Sequence, residues 1–569
     1  MPLTKHLRLI ALAAALGASA APAMAAEVNS GAYLAGRHAA AEFDFSRASQ
    51  FFAAALARDP KNPVLLEFAN SSYVNLGDIG RAAAISRQML QVGVESQVAN
   101  IVLLGEAAKL GKWDNALSDL DAGQSVGPLF DGLFRGWARV GAGDLQEALD
   151  EFDQVSKTEG VRAFGQYHRA LALAATGDFA AADTVFADPD LRLSRRGLMA
   201  RAQVLSQLGR QADAVNMLRD VFGADVDKAL DDLITALGAG KVVPFDVAPD
   251  ATAGVAEVFF TIANALIGES NKAYTLVYSR MAEYLRPDHI EAILLSASLL
   301  EDLERYDLAI ENYARIPRDN AASDAAQLGR AEALRKSGKI DAAIEAIEQL
   351  AQARPDLPLV HVTLGDTLRE LDRFEEASKA YDRAVALLGE PAQGQWIIYF
   401  ARGITFERTD RWPEAEADFR KALELQPDQP QVLNYLGYSY VEKHQNLDEA
   451  LDMIQRAVAA RPDSGYITDS LGWVFYRLGR YAEAVAPMER AVELMPVDPV
   501  INDHLGDVYW AVGRKLEAQF QWKRALSFID PNDMDGEADP VRIKRKLEVG
   551  LDVVLDEEGM PPLTVANGG

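Results

Sequence analysis

A unit of about 34 residues recurs along nearly the whole chain. The frame is clearest near the C-terminus, where Gly403, Gly437, Gly472 and Gly506 follow one another at intervals of 34, 35 and 34 residues. Each glycine is followed by two alanines at matching offsets: Ala415 and Ala422, Ala450 and Ala457, Ala484 and Ala491, and Ala518 and Ala525. Self-similarity at such a period indicates stacked supersecondary units, none of which buries its apolar face alone. We therefore predict that these glycines and alanines pack the repeats together.

The same frame extends upstream, and its small, large and turn positions have helical spacing on both sides of each turn. We predict about 14 helix-turn-helix units, six before an interruption and eight after it. The predicted organisation is a signal peptide at 1–25, an N-terminal array at 29–222, a joint or insertion at 223–255, a C-terminal array at 256–532, a capping helix at 539–556 and a disordered tail at 557–569.

Two segments depart from the repeat. Residues 223–255 contain one possible helix that ends at Gly238-Ala239-Gly240, followed by a stretch punctuated by Pro244 and Pro249, so we interpret them as a joint between two arrays. Near the C-terminus, Asp539 and Pro540 have the residue types of an N-cap and a first helical position. The helix predicted to follow carries a basic strip: Arg542, Lys544, Arg545 and Lys546.

The N-terminus has the three parts of a secretory signal. Lys5 and Arg8 form a charged region, residues 9–16 an apolar region, and residues 23–25 (AMA) a cleavage site. The chain contains no cysteine, which excludes disulfides, thiolate metal sites, a cysteine nucleophile and a lipid-modified N-terminal cysteine. We therefore expect a periplasmic protein that is not a lipoprotein and that has no transmembrane segment after signal cleavage.

Charge and motifs exclude several classes of function. The net charge of −27 argues against a nucleic-acid partner, because phosphate binding needs a concentrated basic face. The seven histidines are scattered, with no pair at the i, i+4 spacing of a helical metal site. No glycine-rich phosphate loop, nucleophile elbow or carboxylate pair appears outside the repeats. We predict a protein that is not an enzyme and that has no cofactor and no metal.

The unit at 471–496 resembles the tetratricopeptide repeat, whose skeleton is W-x2-L-G-x2-Y, then A-x3-F, then A and P. The matching residues are Leu471, Gly472, Phe475, Ala484, Met488, Ala491 and Pro496. The resemblance implies an all-α fold, an α-solenoid that forms a superhelix, with an irregular joint near the middle. It also implies that the chain works by binding other proteins or peptides.

In tetratricopeptide folds the first helix of each unit lines a concave groove. Mapped onto this chain, the resemblance implies a partner-binding groove formed by Asn434, Tyr438, Tyr466, Asp469, Trp473, Tyr476, Asp503, Asp507 and Trp510. Aromatic side chains rimmed by acids suit a peptide or helix with basic and apolar side chains. The alternative is that several of these aromatic residues pack against the next unit, and for Trp473 and Trp510 both interpretations stay open.

Residues 433–438 (LNYLGY) and 469–477 (DSLGWVFYR) resemble one bacterial branch of this superfamily. The branch includes an outer-membrane adaptor that activates a carboxy-terminal processing protease against cell-wall hydrolases. The resemblance implies a periplasmic scaffold or adaptor that delivers substrates to such a protease. A second possibility is a periplasmic scaffold for exopolysaccharide synthesis or export. A third is an enzyme with a site in the 223–255 insertion.

Overall fold

The computed structural model describes residues 30–223, 227–530 and 538–563. The predicted signal peptide and the last six residues of the predicted tail lie outside these ranges. The described residues form 31 α-helices and one short 3-10 helix and contain no β-strand. Twenty-eight of the α-helices follow one another as fourteen pairs, so the predicted all-α repeat fold is confirmed.

The chain passes from one compact unit to a second between Ala346 and Ile347. The first unit contains α1 Ser30–Ala41, α2 Phe45–Leu56, α3 Pro63–Leu76, α4 Ile79–Gln91, α5 Gln97–Lys109, α6 Trp113–Asp121, α7 Pro128–Ala142, α8 Leu145–Ser156, α9 Arg162–Ala175, α10 Phe179–Phe186, α11 Arg195–Gln207, α12 Gln211–Phe222, α13 Lys228–Gly238, α14 Ala251–Leu266, α15 Lys272–Leu285, α16 Ile290–Asp302, α17 Tyr306–Ala314 and α18 Ser323–Lys336. Helix α19, Ile340–Ala353, contains the boundary.

The second unit contains α20 Pro358–Glu370, α21 Phe374–Leu387, the 3-10 helix Gln393–Gln395, α22 Trp396–Arg408, α23 Trp412–Leu425, α24 Pro430–Glu442, α25 Leu447–Ala460, α26 Gly465–Arg477, α27 Tyr481–Leu494, α28 Pro499–Ala511, α29 Lys515–Phe528, α30 Pro540–Val549 and α31 Leu551–Glu557. None of the described helices is long and apolar enough to cross a membrane.

Local sequence explains where the helices begin and end. Asn62 caps α3 by accepting hydrogen bonds from the backbone N–H groups of residues 64 and 65, and Pro63 occupies the first helical position. The same helix ends at Gly77, whose φ of 82° is left-handed and therefore suits a residue without a Cβ atom. In repeats without this glycine, Asp372 and Asp410 take the turn with φ of 56° and 57°.

The repeat glycines are sites of close helix–helix approach. A Cβ atom on Gly403, Gly437 or Gly472 would lie 2.5–2.8 Å from the side chains of Phe419, Ile454 or Met488 respectively, and one on Gly506 would overlap the ring of Trp522. The eight alanines of the repeat skeleton named above are fully buried. The structure thus places these twelve residues in the contacts between paired helices, where side-chain volume decides the helix separation.

In the first unit, α14 and α15 pack against the first-helix face, which is the surface formed by the first helices of successive pairs. Helix α14 contacts α5, α7 and α9, and α15 contacts α3 and α5. The approach is close, because a Cβ atom on Gly254 would overlap the ring of Trp137 and one on Gly105 would overlap the end of Met281. In this unit, therefore, the chain itself covers most of the first-helix face along α3, α5, α7 and α9.

The segment predicted to be a joint lies inside the first unit. Residues 241–246 run beside α11, where Gln203 donates to the carboxylate of Asp246 at 2.6 Å and Gln207 donates to the carbonyl oxygen of Val243 at 2.6 Å. These bonds fix the direction of the chain before α14, which begins at Ala251. Residues 223–255 therefore return the chain onto its own first helices, and the boundary between compact units lies at 346–347.

The C-terminal end of the second unit also differs from the prediction. The sequence predicts one capping helix over 539–556, whereas the structure has two helices, α30 and α31. They are separated at Gly550, which has a left-handed φ of 89° and lies against the ring of Trp510. Because a continuous helix cannot pass through a residue in that conformation, the chain bends there. We call these two helices together the C-terminal cover.

Candidate functional site

The second unit carries a cavity of about 650 Å³ on its first-helix face. Side chains of α24, α26 and α28 form most of its lining, together with the end of α22 and the loops that follow α22 and α24. The lining residues, which we call the open groove, are Glu407, Arg408, Asp410, Asn434, Tyr435, Tyr438, Ser439, Glu442, Lys443, Tyr466, Asp469, Ser470, Val500, Ile501 and His504. Four of the nine predicted groove residues lie here: Asn434, Tyr438, Tyr466 and Asp469.

Two side chains of the open groove are poised to receive a ligand. The side chain of Tyr466 is 60% exposed, which is unusual for a large aromatic group in a concave site. The side-chain oxygen of Asn434 is buried and has no hydrogen-bond partner among the described residues. A buried acceptor without a donor costs free energy, and a bound N–H group would remove that cost. The same cavity therefore contains an aromatic surface and a hydrogen-bond acceptor.

The electrostatic character of the open groove is acidic. Its lining contains four carboxylates, on Glu407, Asp410, Glu442 and Asp469, against the two permanent cations Arg408 and Lys443. The excess of negative charge favours a ligand that carries basic groups.

One histidine couples this groove to pH. The Nδ1 atom of His504 lies 3.0 Å from a carboxylate oxygen of Asp469. Burial disfavours the charged imidazolium, but the carboxylates of Asp469, Asp503 and Asp507 outweigh that effect and raise the pKa of His504 above its ordinary value. Within the described ranges, no group of three acidic or histidine side chains is placed to bind one metal ion.

Trp473 and Tyr476, which the sequence marks as candidate binding aromatics, are packed inside the protein. Each is only 9% exposed. The Trp473 ring lies between the His504 ring, at 4.0 Å, and the Tyr476 ring, at 4.8 Å, and both contacts are nearly parallel stacks. Its indole N–H donates to Glu442 at 2.8 Å. Of the two interpretations left open for Trp473, packing against the next unit is the one that the structure has.

The predicted acidic rim at Asp503 and Asp507 is neutralised by the chain itself. The ammonium of Lys546, on α30, lies 2.7–2.9 Å from all four oxygens of these two carboxylates and is fully buried. Asp507 also accepts a hydrogen bond from the indole N–H of Trp522 at 2.9 Å. These carboxylates therefore form an internal ion cluster beneath the C-terminal cover, and the expectation of a solvent-facing rim is wrong at both positions.

Trp510 also contacts the C-terminal cover. Its indole N–H donates to the carboxylate of Asp552, on α31, at 2.9 Å, and its ring packs on Trp522 at 5.3 Å. The predicted groove of nine residues is thus divided into an open half, at residues 434–469, and a covered half, at residues 473–510. Sequence reasoning identified the basic strip that contains Lys546 but had no signal for where it docks, since nothing in the repeat period reports contacts made 39 or 43 residues apart.

Comparison with known proteins places this site in a repeat family. A family model described as "Tetratricopeptide repeat" matches residues 294–358, 362–430 and 435–499, a range that contains most of the open groove. The chain is 27% identical over 187 residues to a TPR repeat-containing protein of Pseudomonas aeruginosa, across 33% of this chain and 31% of that protein. It is 37% identical over 86 residues to the lipoprotein NlpI homolog of Haemophilus influenzae, across 15% of this chain and 26% of that protein.

These matches are partial in length and moderate in identity. The chain spans less than a third of the length of either relative. Among solved structures, the crystal structure of the APC/C hetero-tetramer Cut9–Hcn1 aligns over 91% of this chain and 96% of that chain, with 14% identity and a TM-score of 0.37.

The assignment therefore rests on the matched repeats and on the helix pairs themselves. The three matched segments cover α16 to α27 almost without a gap, and the same pairing of helices continues on both sides of them. Stacked units of this kind imply a scaffold for protein–protein interaction. Residues 294–499 thus carry tetratricopeptide repeats, and the described helix pairs on either side of them continue the same arrangement.

Proposed function

We propose that this protein is a non-enzymatic scaffold that binds a basic and apolar peptide or helix of a partner protein in the open groove of its second unit. The observation that carries the proposal is one cavity that is lined by the exposed Tyr466 ring, by four carboxylates, and by Asn434, whose side-chain oxygen has no hydrogen-bond partner among the described residues. Tyrosine is one of the residue types that are enriched at the energetic centres of protein interfaces. In the first unit, α14 and α15 cover most of the equivalent face, along α3, α5, α7 and α9.

The C-terminal cover supports the proposed chemistry of the partner. Helix α30 binds to the covered half through one lysine between two aspartates and through the buried apolar side chain of Ile543. The next part of the same face keeps acidic and aromatic side chains, and none of the helices in the described ranges covers it. A partner segment with Lys or Arg near an apolar residue would make the same kinds of contact there.

The test is site-specific photo-crosslinking in intact cells. A photoreactive phenylalanine analogue replaces Tyr466 in one variant and Phe520 in the control, because Phe520 is 61% exposed on α29, away from the open groove. We expect a protein that crosslinks at position 466 and not at position 520. Identical crosslinks at both positions, or none at 466, would contradict the proposal.

The affinity and the association rate of the captured partner are then measured directly. In a purified binding assay, Tyr466→Ala should weaken its affinity by about 30-fold, as for a central aromatic anchor. Asp410→Asn should mainly slow association at low salt, since rim charges act on the encounter rate. Phe520→Ala should change neither quantity.

We further propose that the scaffold acts in the bacterial periplasm, after export through the signal at 1–25, and that it presents substrates to a carboxy-terminal processing protease. Support comes from the runs 433–438 and 469–477, which resemble envelope adaptors of that kind, and from the 86-residue similarity to a protein named as a lipoprotein. The first run contributes Asn434 and Tyr438 to the open groove. The adaptor role therefore assigns the partner to the same groove.

Two measurements test these proposals separately. N-terminal sequencing of periplasmic material should begin near residue 26, and an intact Met1 form confined to the cytosol would refute export. For the adaptor role, purified protein should accelerate degradation of cell-wall hydrolases by the protease, and Tyr466→Ala should remove most of the acceleration. Crosslinking to exopolysaccharide export or synthesis subunits instead would support the alternative scaffold and count against the protease.

A further inference from the structure

A second cavity, of about 500 Å³, lies in the first compact unit and has no part in the function proposed above. It is formed between the start of α9, the loop at 191–194 before α11, and the C-terminal half of α14. It sits beside the α14 segment that packs on α9, so it belongs to the part of the first-helix face that α14 leaves uncovered. Its size is within the range of about 300–1,000 Å³ that is usual for ligand pockets.

The walls of this cavity are mostly apolar. Phe164, Leu193 and Phe260 pack against the hydrophobic core with one side and are only partly buried, so their other side faces the cavity. Ala163, at the entrance, is exposed. An apolar group that enters would remove these surfaces from water, which is favourable at about 25 cal/mol per Å². The walls therefore select an apolar side chain.

The deep end of the cavity is closed by an ion network. Arg196 donates to Glu257 through Nε at 2.7 Å and to Glu291 through Nη1 at 2.8 Å, and His289 lies 3.1 Å from the same oxygen of Glu257. The guanidinium is thus already neutralised, and the carboxylate of Glu291 lines the cavity. An anion placed at this end would meet that carboxylate, so the apolar part of a ligand belongs here.

The mouth of the cavity, unlike its deep end, offers a positive charge to a ligand. Arg195 is paired with Asp227 at 2.7 Å. Arg192, which is exposed at the mouth, has no hydrogen-bond or ion-pair partner within the described ranges. A carboxylate on a ligand could therefore pair with Arg192 without breaking an existing ion pair. Charge and polarity therefore orient a ligand, with its apolar group inward and its anion at the mouth.

We propose that this cavity is a second binding site, which takes a short segment of a partner protein with an acidic residue next to a large apolar residue. The apolar side chain lies between Phe164, Leu193 and Phe260, and the acidic side chain pairs with Arg192. The chain would then bind two different partner segments, a basic and apolar one in the second unit and an acidic and apolar one in the first.

The test is selection of heptapeptides from a random phage library on the full-length protein, with counter-selection on an Ala163→Trp variant. Because Ala163 is exposed and lines the cavity, we expect the indole to occupy the cavity and to leave the core unchanged. We expect the selected peptides to share an acidic residue beside Leu, Phe or Trp. By fluorescence anisotropy, a peptide of the selected sequence should bind at least about tenfold more weakly to Ala163→Trp.

A charge reversal at Arg192 provides the second part of this test. Arg192→Glu should weaken binding about fivefold at low salt, because an exposed ion pair contributes little more. Arg58→Glu is the matched control, since Arg58 is exposed, has no ion-pair partner within the described ranges and lies far along the chain from the cavity. No acidic and apolar consensus, equal binding to Ala163→Trp, or equal effects of the two charge reversals would overturn the proposal.

Peptide binding to the cavity should not depend on the open groove. Peptides that bind the cavity should keep their affinity for Tyr466→Ala, whereas peptides captured by the open groove should lose it. Loss of binding in Tyr466→Ala with no effect of Ala163→Trp would refute the second site and leave the proposed groove intact.

Discussion

Replacing Lys546 by methionine tests whether the C-terminal cover is held by a buried ion cluster. The methionine keeps most of the apolar stem but removes the ammonium that lies 2.7–2.9 Å from the carboxylate oxygens of Asp503 and Asp507. Lys546 is fully buried, and the side chain of Asp507 is 2% exposed, so solvent replaces little of the lost interaction. Removing one partner of a buried pair costs about 3–5 kcal/mol, because the remaining charge is left uncompensated.

The loss should depend on pH in a defined direction. Burial raises the pKa of Asp503, repulsion from Asp507 raises it further, and Lys546 opposes both effects. Without Lys546 the folded-state pKa of Asp503 rises more. A folded-state pKa above the unfolded value means that the native state binds more protons between the two values, so stability falls as pH rises through this window. Lys546→Met should therefore be least stable at neutral pH and should recover as the pH is lowered towards the ordinary value of 3.8.

Hydrogen exchange measured by mass spectrometry is the suitable assay, because a repeat array opens locally and has no single unfolding free energy. The opening free energy of α28 to α31 should fall by about 3–5 kcal/mol in Lys546→Met at neutral pH, whereas α22 and α23 should change less. Lys544→Met, an exposed change on the same helix, should have little effect. Adding Asp503→Asn and Asp507→Asn should restore much of the loss. A change below about 1 kcal/mol, or one that does not vary with pH, would refute the argument.

Three further predictions concern the packing and the charges of the two units. Gly254→Leu should destabilise the first unit by at least about 1–3 kcal/mol, because the new side chain would enter the ring of Trp137, and exchange in α22 to α29 should be unchanged. Gly472→Leu, whose Cβ atom would lie 2.5 Å from Met488, should destabilise α26 and α27 first and their neighbours next. Burial opposes ionisation of Glu257, but Arg196 and His289 together outweigh it and lower the pKa of Glu257 to about 2. About 3 kcal/mol of stability should therefore be lost as the pH falls from about 4.5 towards 2, and Glu257→Gln should flatten this acid limb of a thermal melt.

The chain offers controls for these substitutions. A Cβ atom on Gly238 or Gly394 would meet no neighbouring side chain within 4 Å, and both residues have ordinary backbone conformations, so leucine at either position should leave exchange unchanged. If Gly254→Leu and Gly238→Leu behaved alike, the close packing of α14 on α7 would be in doubt. An acid limb that is equally steep in Glu257→Gln and the parent would exclude Glu257 as its source.

Much of the repeat architecture could be predicted from the sequence, because its determinants are local. The glycine and alanine skeleton sets the distance between the two helices of a pair, and turn residues such as Gly77 and Pro63 set where helices stop and start. These requirements recur in every unit, so they leave a period that can be counted. The same register predicts which side chains lie on the first-helix face, and Asn434 and Tyr466 are two of them.

What lies on the first-helix faces was decided only by the tertiary structure. A repeat period reports contacts between neighbouring units, whereas the packing of Gly254 on Trp137 joins positions 117 residues apart and the pairing of Lys546 with Asp503 joins positions 43 apart. Neither contact has a periodic signature, because each occurs once. The sequence therefore determined that first-helix faces would exist. The three-dimensional packing determined that α14 and α15 cover most of the face in the first unit and that the C-terminal cover closes half of the face in the second. The remainder, around Tyr466, stays accessible. Tertiary structure decides this because only long-range contacts can compete with a partner for the same surface.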